Sequence, residues 1–196
     1  MNKNMQVFIT NSRRILSCYK FNFLELFAVH FSFFEKLLLS WRKPVFLDEI
    51  NLASITKKDK VLLIGCGIFP SETVIIAEAT QASIVGIDNS VNAVKLAKKY
   101  VKKQSKISNL VTIQYGDGTS YDLQSFNVIF VAINVFPIND VLNHIANHAK
   151  KDTKIMCKSI DNDIPQTIKQ LKLEHSFSIE SMKENPKTQS YLLKKK

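Results

Sequence analysis

Cysteines are few in this sequence, and their spacing excludes two classes of small domain. Cys18, Cys66 and Cys157 are the only three in 196 residues, they lie far apart, and no Cys-x-x-Cys pair occurs. A disulfide framework uses an even and denser set, and a structural zinc site uses closely spaced ligands. His144 and His148 lie four residues apart without an evident third ligand. We therefore expect neither disulfides nor a metal site, and a reducing, cytoplasmic location.

Arginine is also scarce, although the chain is strongly basic. Lys+Arg number 27 against 17 Asp+Glu, a formal net charge of +10, yet only Arg13, Arg14 and Arg42 are arginines. Such a charge raises nucleic acid or an anionic membrane as partners. Recognition of phosphate and guanine favours the planar guanidinium group, whereas lysines spread over helix faces more often keep a surface hydrated. We therefore favour a small-molecule partner and keep RNA as a less favoured alternative.

Long apolar runs are missing as well. The nearest candidate for a membrane span extends over residues 15–41, but charged or polar side chains interrupt it: Lys20, Glu25, His30, Glu35 and Lys36. A spanning helix needs about 20 predominantly apolar residues. The first residues also lack the apolar segment of a signal peptide. We expect no membrane span.

Residues 1–50 differ from the remainder because they contain no glycine and many phenylalanines. Phe23, Phe27, Phe31, Phe34 and Leu38 recur at helical spacing, and a second apolar stripe beside them predicts a helix buried on more than one side. We interpret residues 1–50 as an N-terminal helical cap packed on a domain of residues 51–196. A lid over a ligand site, a homodimer interface and the remnant of a substrate domain are the alternatives. Pro44 is expected to end this region before a short helix over residues 47–55.

From Lys60 onward, buried strands alternate with amphipathic helices. This alternation predicts a parallel sheet covered on both faces, followed by a closing antiparallel pair of strands. The predicted strands are Val61–Ile64, Ser83–Ile87, Val111–Tyr115, Val128–Ile133, Lys154–Ser159, Phe177–Met182 and Ser190–Leu193; the predicted helices are Glu72–Thr80, Val91–Lys106 and Ile138–Ala149.

The first predicted strand ends in Gly65-Cys66-Gly67 and leads into a helix. Glycines at this point let a ligand approach the backbone closely, because side chains would block it. A Gly-x-Gly pair alone is a weak signal, but a preceding buried strand and a following helix are the context that supports it. We expect the three residues to bind a ligand, with Cys66 contributing its backbone.

Two further acidic signals follow at the ends of the next strands. Asp88 closes the second strand about 20 residues after the glycine loop, where a carboxylate accepts hydrogen bonds from ribose hydroxyls. We expect its neighbour Asn89 to contact the same ligand. Helix capping is the alternative role for Asp88. Gly116-Asp117 follows the third strand, where a carboxylate can accept from an adenine amine, with Tyr115 or Ile113 near the ring, and a simple turn is the alternative. Parallel strand ends converge on one ligand site, so the three elements support one another.

In this order, Gly65-Cys66-Gly67, Asp88, Gly116-Asp117 and the fourth strand starting at Phe126-Asn127 resemble the class I S-adenosylmethionine-dependent methyltransferases. The resemblance implies an α/β, Rossmann-like, doubly wound seven-stranded sheet with an antiparallel last strand. It implies S-adenosylmethionine as the cofactor, with Asp88 at the ribose, Asp117 at the adenine amine and the glycine loop at the methionine part. The expected activity is methyl transfer to a small acceptor.

The sequence also departs from that pattern. Phe69 stands at the usual third glycine, Pro70 follows it, and Asn127 replaces the common aspartate of strand four. Gly-x-Gly-x-x-Pro is similar to the nicotianamine synthase group, which shares the fold and transfers an aminocarboxypropyl group from the same cofactor. That activity is the first alternative, and a non-catalytic protein that binds S-adenosylmethionine is the second. Asn134, after strand four, is expected beside the reactive carbon or as a cap of the next helix; no catalytic residue is identified.

Overall fold

The fold is built on one sheet with helices on both faces, and the residues predicted above to bind a ligand follow its strands. The computed structural model describes residues 25–159, 163–185 and 188–196. The strands are β1 (Lys60–Ile64), β2 (Ser83–Asp88), β3 (Val111–Tyr115), β4 (Val128–Val131), β5 (Lys154–Ser159), β6 (Phe177–Asn185) and β7 (Thr188–Lys195). The helices are α1 (Ser32–Ala53), α2 (Ser71–Thr80), α3 (Val91–Lys102), α4 (Ile138–His148) and α5 (Ile164–Gln170), and residues 25–30 are also helical.

The seven strands have the order β3-β2-β1-β4-β5-β7-β6. Strands β1 to β5 pair in parallel, whereas β7 runs antiparallel to both of its neighbours. The expected Rossmann-like sheet with an antiparallel last strand is therefore confirmed. The chain order reverses between β1 and β4, and the carboxyl ends of the strands at such a reversal form a crevice where ligands bind in folds of this type.

The strands are buried on both faces, as their continuous apolar runs predict. In β1, Val61 and Leu63 belong to the core cluster beneath α1 to α3, while Leu62 and Ile64 belong to the cluster beneath α4 and α5. This alternation follows from the two-residue period of a strand. Both clusters end at the carboxyl edge of the sheet and so form a rigid floor for that edge.

Helix α1 corrects the expectation that Pro44 ends the N-terminal region. The helix runs without a break from Ser32 to Ala53 with Pro44 inside it, and it ends at Ser54, whose φ is 49°. A proline inside a helix removes one hydrogen bond and costs about 3 kcal/mol. Leu38 and Phe46, which are buried on either side of Pro44, show that packing on the domain outweighs this cost. The division at residue 50 stays a prediction; α1 extends three residues past it.

The aromatic stripe is less buried than its spacing predicts. The helical segments separate at Phe31, which has extended backbone angles. Five members of the two apolar stripes are exposed, so the expectation that the wide apolar arc is buried on several sides is wrong for them. They are Leu26 (42%), Phe31 (55%), Phe33 (72%), Phe34 (38%) and Leu37 (54%). Phe23 and Cys18 lie outside the described residues. In the described part of the chain, no helix is both long and apolar enough to cross a membrane.

One polar contact holds the start of α1 on the domain. The Tyr100 hydroxyl on α3 donates to Glu35 Oε1 at 2.7 Å, and Gln104 Nε2 donates to the same oxygen at 3.0 Å. The Tyr100 ring packs edge-on against Phe69, with ring centroids 4.9 Å apart. Phe69 itself is buried at the end of the glycine loop. The cap and the loop are therefore coupled through one tyrosine.

Candidate functional site

The loop between β1 and α2 requires glycine at two positions. Gly65 and Gly67 have φ values of +82° and +68°, in the left-handed region that other residues rarely adopt. A Cβ atom at Gly65 would lie 2.7 Å from Val135 Cγ2. The amides of Gly65 and Cys66 both donate to the Ile87 carbonyl at 2.9 Å, which fixes the loop on β2. Burial raises the pKa of the Cys66 thiol, in keeping with a packing role for its side chain.

Asp88, at the end of β2, organises the floor of the site. Its Oδ2 accepts from the Gly67 amide at 2.9 Å, and its Oδ1 accepts from the Ser90 amide at 2.9 Å. The cap of α3 is Ser90, whose hydroxyl accepts from the Ala93 amide, so helix capping is not the role of Asp88. A carboxylate oxygen has two acceptor sites. Each Asp88 oxygen therefore retains one site for a ligand.

Asp117 lies in the turn after β3, the strand that pairs with β2 and Asp88. Its Oδ1 accepts from both the amide and the hydroxyl of Thr119 at 2.8 Å, and these bonds hold the pKa of Asp117 below its usual range. The carboxylate is exposed and stays charged at neutral pH. Gly116 leaves room for Tyr121, because a Cβ at Gly116 would lie 2.8 Å from Tyr121 Cδ2. Tyr115 and Ile113, expected near an adenine ring, are not among the described residues that line the cavity.

Asn134 follows β4 and also lines the cavity. The cap of α4 is Pro137, without a side-chain hydrogen bond, so Asn134 does not have the capping role that was its alternative. Its exposed side chain lines the cavity next to Phe136. Asn127, at the start of the same strand, instead joins the amide of Lys60 to the carboxylate of Asp59, away from the cavity.

The N-terminal cap also contributes a part-buried ion pair to this edge of the sheet. Glu25 Oε1 accepts from the Arg42 guanidinium at 2.9 Å, and Arg42 also donates to Ser71 Oγ at 2.8 Å. Burial raises the pKa of Glu25, and the Arg42 charge opposes that rise. Both residues line the cavity. His30, which also interrupts the N-terminal apolar run, is exposed, and its Nδ1 is hydrogen-bonded to the Leu26 carbonyl.

A second buried ion cluster was not predicted at all. Lys158 Nζ on β5 lies 3.1 Å from Glu49 Oε2 on α1 and 2.8 Å from Glu72 Oε1 on α2. Ser190 on β7 donates to Glu49 Oε1 at 2.6 Å. The only sequence signal was Lys158, a charge that directly follows the apolar run of residues 155–157. The three partners are too far apart in the chain for any local pattern to pair them. The cluster joins the cap to three elements of the domain.

A cavity of about 680 Å³ lies at the carboxyl edge of the sheet, and most of these groups line it. Apart from Tyr115 and Ile113, the residues proposed from the sequence as cofactor contacts line it: Gly65, Cys66, Gly67, Asp88, Asn89, Gly116, Asp117 and Asn134. Helix α1 forms one wall through Trp41, Arg42, Val45 and Phe46. Of the described lining residues, four carry carboxylates (Glu25, Glu72, Asp88 and Asp117) and two carry positive charge (Arg42 and Lys158). The cavity is therefore acidic although the chain is basic.

Comparisons with known proteins agree with this fold. Residues 55–195 match the model of a family described as "Methyltransferase domain". The chain is similar to the crystal structure of an RNA methyltransferase from Salinibacter ruber in complex with S-adenosyl-L-homocysteine, with a TM-score of 0.62, 18% identity, and 76% of this chain and 88% of that chain covered. No curated protein sequence matches the chain.

Similarity to a nicotianamine synthase, MtNAS, extends over the N-terminal cap as well. Its crystal structure in complex with S-adenosylmethionine has a TM-score of 0.76 and 16% identity, with 99% of this chain and 80% of that chain covered. A putative sarcosine dimethylglycine methyltransferase from Galdieria sulphuraria has a TM-score of 0.59 and 12% identity, with 78% of this chain and 84% of that chain covered. The expected cofactor agrees with the ligands of the first two neighbours.

Proposed function

The chain belongs to the methyltransferase-domain family, and from that premise we propose that it transfers a group from S-adenosylmethionine to a small-molecule acceptor held beneath α1. The observation that carries the proposal is the cavity at the carboxyl edge of the sheet, which the glycine loop, Asp88, Asp117 and helix α1 all line. A ligand site at this edge is typical of the fold.

The residues present fit the cofactor. Each oxygen of Asp88 keeps one acceptor site for a ribose hydroxyl, and Asp117 Oδ2 makes no hydrogen bond within the described chain, which leaves it for the adenine amine. Gly65 and Gly67 line the cavity, and in this proposal the backbone of their loop holds the methionine part. S-adenosylmethionine supplies a sulfonium-activated carbon, so the protein's own task is to align the acceptor with it.

The charge of the cavity favours a small acceptor over RNA. An RNA substrate brings phosphates, which the excess of carboxylates around the cavity would repel. The lysines of α3, which supply much of the basic surface, lie on its outer face: Lys95, Lys98, Lys99 and Lys102. The cytoplasmic location expected from the sequence is part of the same proposal.

Family membership makes methyl transfer the first candidate reaction. Aminocarboxypropyl transfer is the second, and one observation favours it: the likeness to MtNAS covers 99% of this chain, cap included, whereas the likeness to the RNA methyltransferase covers 76%. The two reactions leave different by-products, S-adenosylhomocysteine after methyl transfer and 5′-methylthioadenosine after aminocarboxypropyl transfer. The identity of the by-product therefore decides between them.

The test is to incubate the protein with labelled S-adenosylmethionine and a size-fractionated cell extract, then to identify by-product and labelled acceptor by mass spectrometry. We expect label in the small-molecule fraction and one of the two by-products. Label in RNA would contradict the small-acceptor proposal. Tight binding without turnover in any fraction would instead support the non-catalytic alternative, and absence of binding would remove the cofactor assignment.

A further inference from the structure

The buried cluster of Glu49, Glu72 and Lys158 has no part in holding the cofactor as proposed above. Its side chains are 0%, 11% and 9% exposed, respectively. Glu49 comes from the cap, Glu72 from the first turn of α2 and Lys158 from β5. Glu72 and Lys158 both line the cavity, whereas Glu49 supports them from behind. The cluster is therefore part of the cavity wall.

Charge within the cluster is unbalanced. Two carboxylates share one ammonium, whose nitrogen also lies 3.9 Å from the centre of the Phe46 ring. Burial raises the pKa of Glu49; burial would lower the pKa of Lys158, but the two carboxylates raise it. A buried charge without a counter-ion costs several kcal/mol. The arrangement is thus suited to accept one further positive group.

Glu72 offers the point of attachment. Its Oε1 contacts Lys158, while its Oε2 makes no hydrogen bond or ion pair with the residues that the structure describes. Because Glu72 lines the cavity and Lys158 holds one of its oxygens, the other oxygen is available to a ligand in the cavity. A hydrogen bond between ions is about twice as strong as a neutral one.

The position of the cluster separates it from the ribose site. Strands β1 and β4 lie between β2, which ends in Asp88, and β5, which carries Lys158. With neighbouring strands about 4.8 Å apart, strands β2 and β5 are about 14 Å apart across the sheet. Asp88 and Asp117 hold the nucleoside in the proposed function, so Lys158 lies toward the β5 side of the cavity, away from the strand that ends in Asp88.

On the basis of the proposed function, we propose that Glu72, held by Lys158 and Glu49, binds a cationic group, an ammonium, on the acceptor substrate. The acceptor class is then an amine or amino acid whose positive group sits against the β5 side of the cavity. The ammonium on the methionine part of the cofactor has the same chemistry, and the experiment distinguishes the two sources.

The test measures binding of 1,4-diaminobutane by calorimetry, with and without saturating S-adenosylhomocysteine, and uses uncharged 1,4-butanediol as the matched probe. We expect the diamine to bind the wild-type protein at least tenfold more tightly than the diol. Glu72→Gln, which keeps its shape and can still accept from Lys158, should lose that preference. Glu78→Gln is the control, since it makes the same change on an exposed position of the same helix.

Equal binding of the two probes, no diamine binding by the wild-type protein, or unchanged diamine binding by Glu72→Gln would overturn the proposal. Reduced affinity of Glu72→Gln for S-adenosylhomocysteine alone would also overturn it, since the ammonium would then belong to the cofactor. If Glu72→Gln does not fold, Lys158→Met takes its place. There the diamine should raise the melting temperature more than in the wild-type protein, and an equal or smaller rise would count against the site.

The diamine arm without S-adenosylhomocysteine separates this proposal from the proposed function. Failure of S-adenosylhomocysteine to bind would contradict the proposed function and leave that arm intact. Failure of the diamine alone would contradict the ammonium site and leave the cofactor assignment intact.

Discussion

Replacing Asp88 by alanine tests the centre of the proposed cofactor site. The substitution removes the acceptor sites proposed for two ribose hydroxyls, and hydrogen bonds to a charged group contribute about 1.5–3 kcal/mol each. The expected loss of binding free energy is therefore about 3–6 kcal/mol, or about two to four powers of ten in Kd. The assay is calorimetric titration with S-adenosylhomocysteine.

The same substitution also disturbs the loop, and the design has to separate the two effects. Asp88 accepts from the amides of Gly67 and Ser90, so its loss destabilises the folded protein by about 1–3 kcal/mol. Asp122→Ala is the matched control, because Asp122 Oδ1 accepts from the amide two residues ahead at 3.0 Å in the same way but lies outside the cavity. We expect this control to bind S-adenosylhomocysteine like the wild-type protein.

Circular dichroism must show that Asp88→Ala is folded at the titration temperature. A folded Asp88→Ala protein whose Kd is within threefold of the wild-type value would refute the ribose assignment. An equal loss of affinity for S-adenosylhomocysteine in Asp122→Ala would also refute the ribose assignment, because the loss would then come from general destabilisation of the protein.

Three further substitutions or measurements test the supports of the site. Gly65→Ala should lower the free energy of unfolding by about 1–3 kcal/mol because Gly65 has a positive φ, and the added methyl group would also press on Val135. An unchanged midpoint of urea unfolding would contradict this loss of stability. Tyr100→Phe removes a 2.7 Å hydrogen bond to Glu35 and should lower stability by about 1 kcal/mol. Proteolysis of the cap should become faster, and equal cleavage rates in the variant and the wild-type protein would contradict this. Burial raises the pKa of Cys157 to about 12, so its thiolate forms only as the pH approaches that value. Peptide mass spectrometry should therefore find Cys157 unalkylated after treatment of the native protein with iodoacetamide at pH 8. Rapid labelling of the native protein would contradict the burial of this thiol.

Local patterns were sufficient to predict the strands that build the site. Strands β3 and β5 have the predicted bounds, Val111–Tyr115 and Lys154–Ser159, because short apolar runs between polar turns have few other solutions. Helix α5, which was not predicted, spans only Ile164–Gln170 and buries Ile164 and Ile168, too few positions for a helical period to emerge. Pro44 misled the prediction because its local preference is outweighed by burial of α1 on both sides of it.

The cofactor side of the cavity was predictable in a way that the acceptor side was not. Gly65, Asp88 and Asp117 each follow a strand, so the topology alone brings them together. Glu49 and Lys158 are 109 positions apart, and their pairing depends on how α1 packs over β5, which no local pattern encodes. An isolated Glu or Lys in an apolar segment is, however, a signal: such residues are almost never fully buried unless paired.

The net charge of +10 is distributed unevenly between the surface and the cavity. The lysines of α3 are on the outer, solvated face, so they supply the basic surface without lining the cavity. Inside, carboxylates outnumber cations, and the two cations, Arg42 and Lys158, are already paired with Glu25, Glu49 and Glu72. A basic exterior around an acidic cavity excludes phosphate from the interior and favours a positively charged small molecule there. The net charge therefore reports on the solvated surface, whereas the acceptor class proposed above rests on the few charges buried at the cavity.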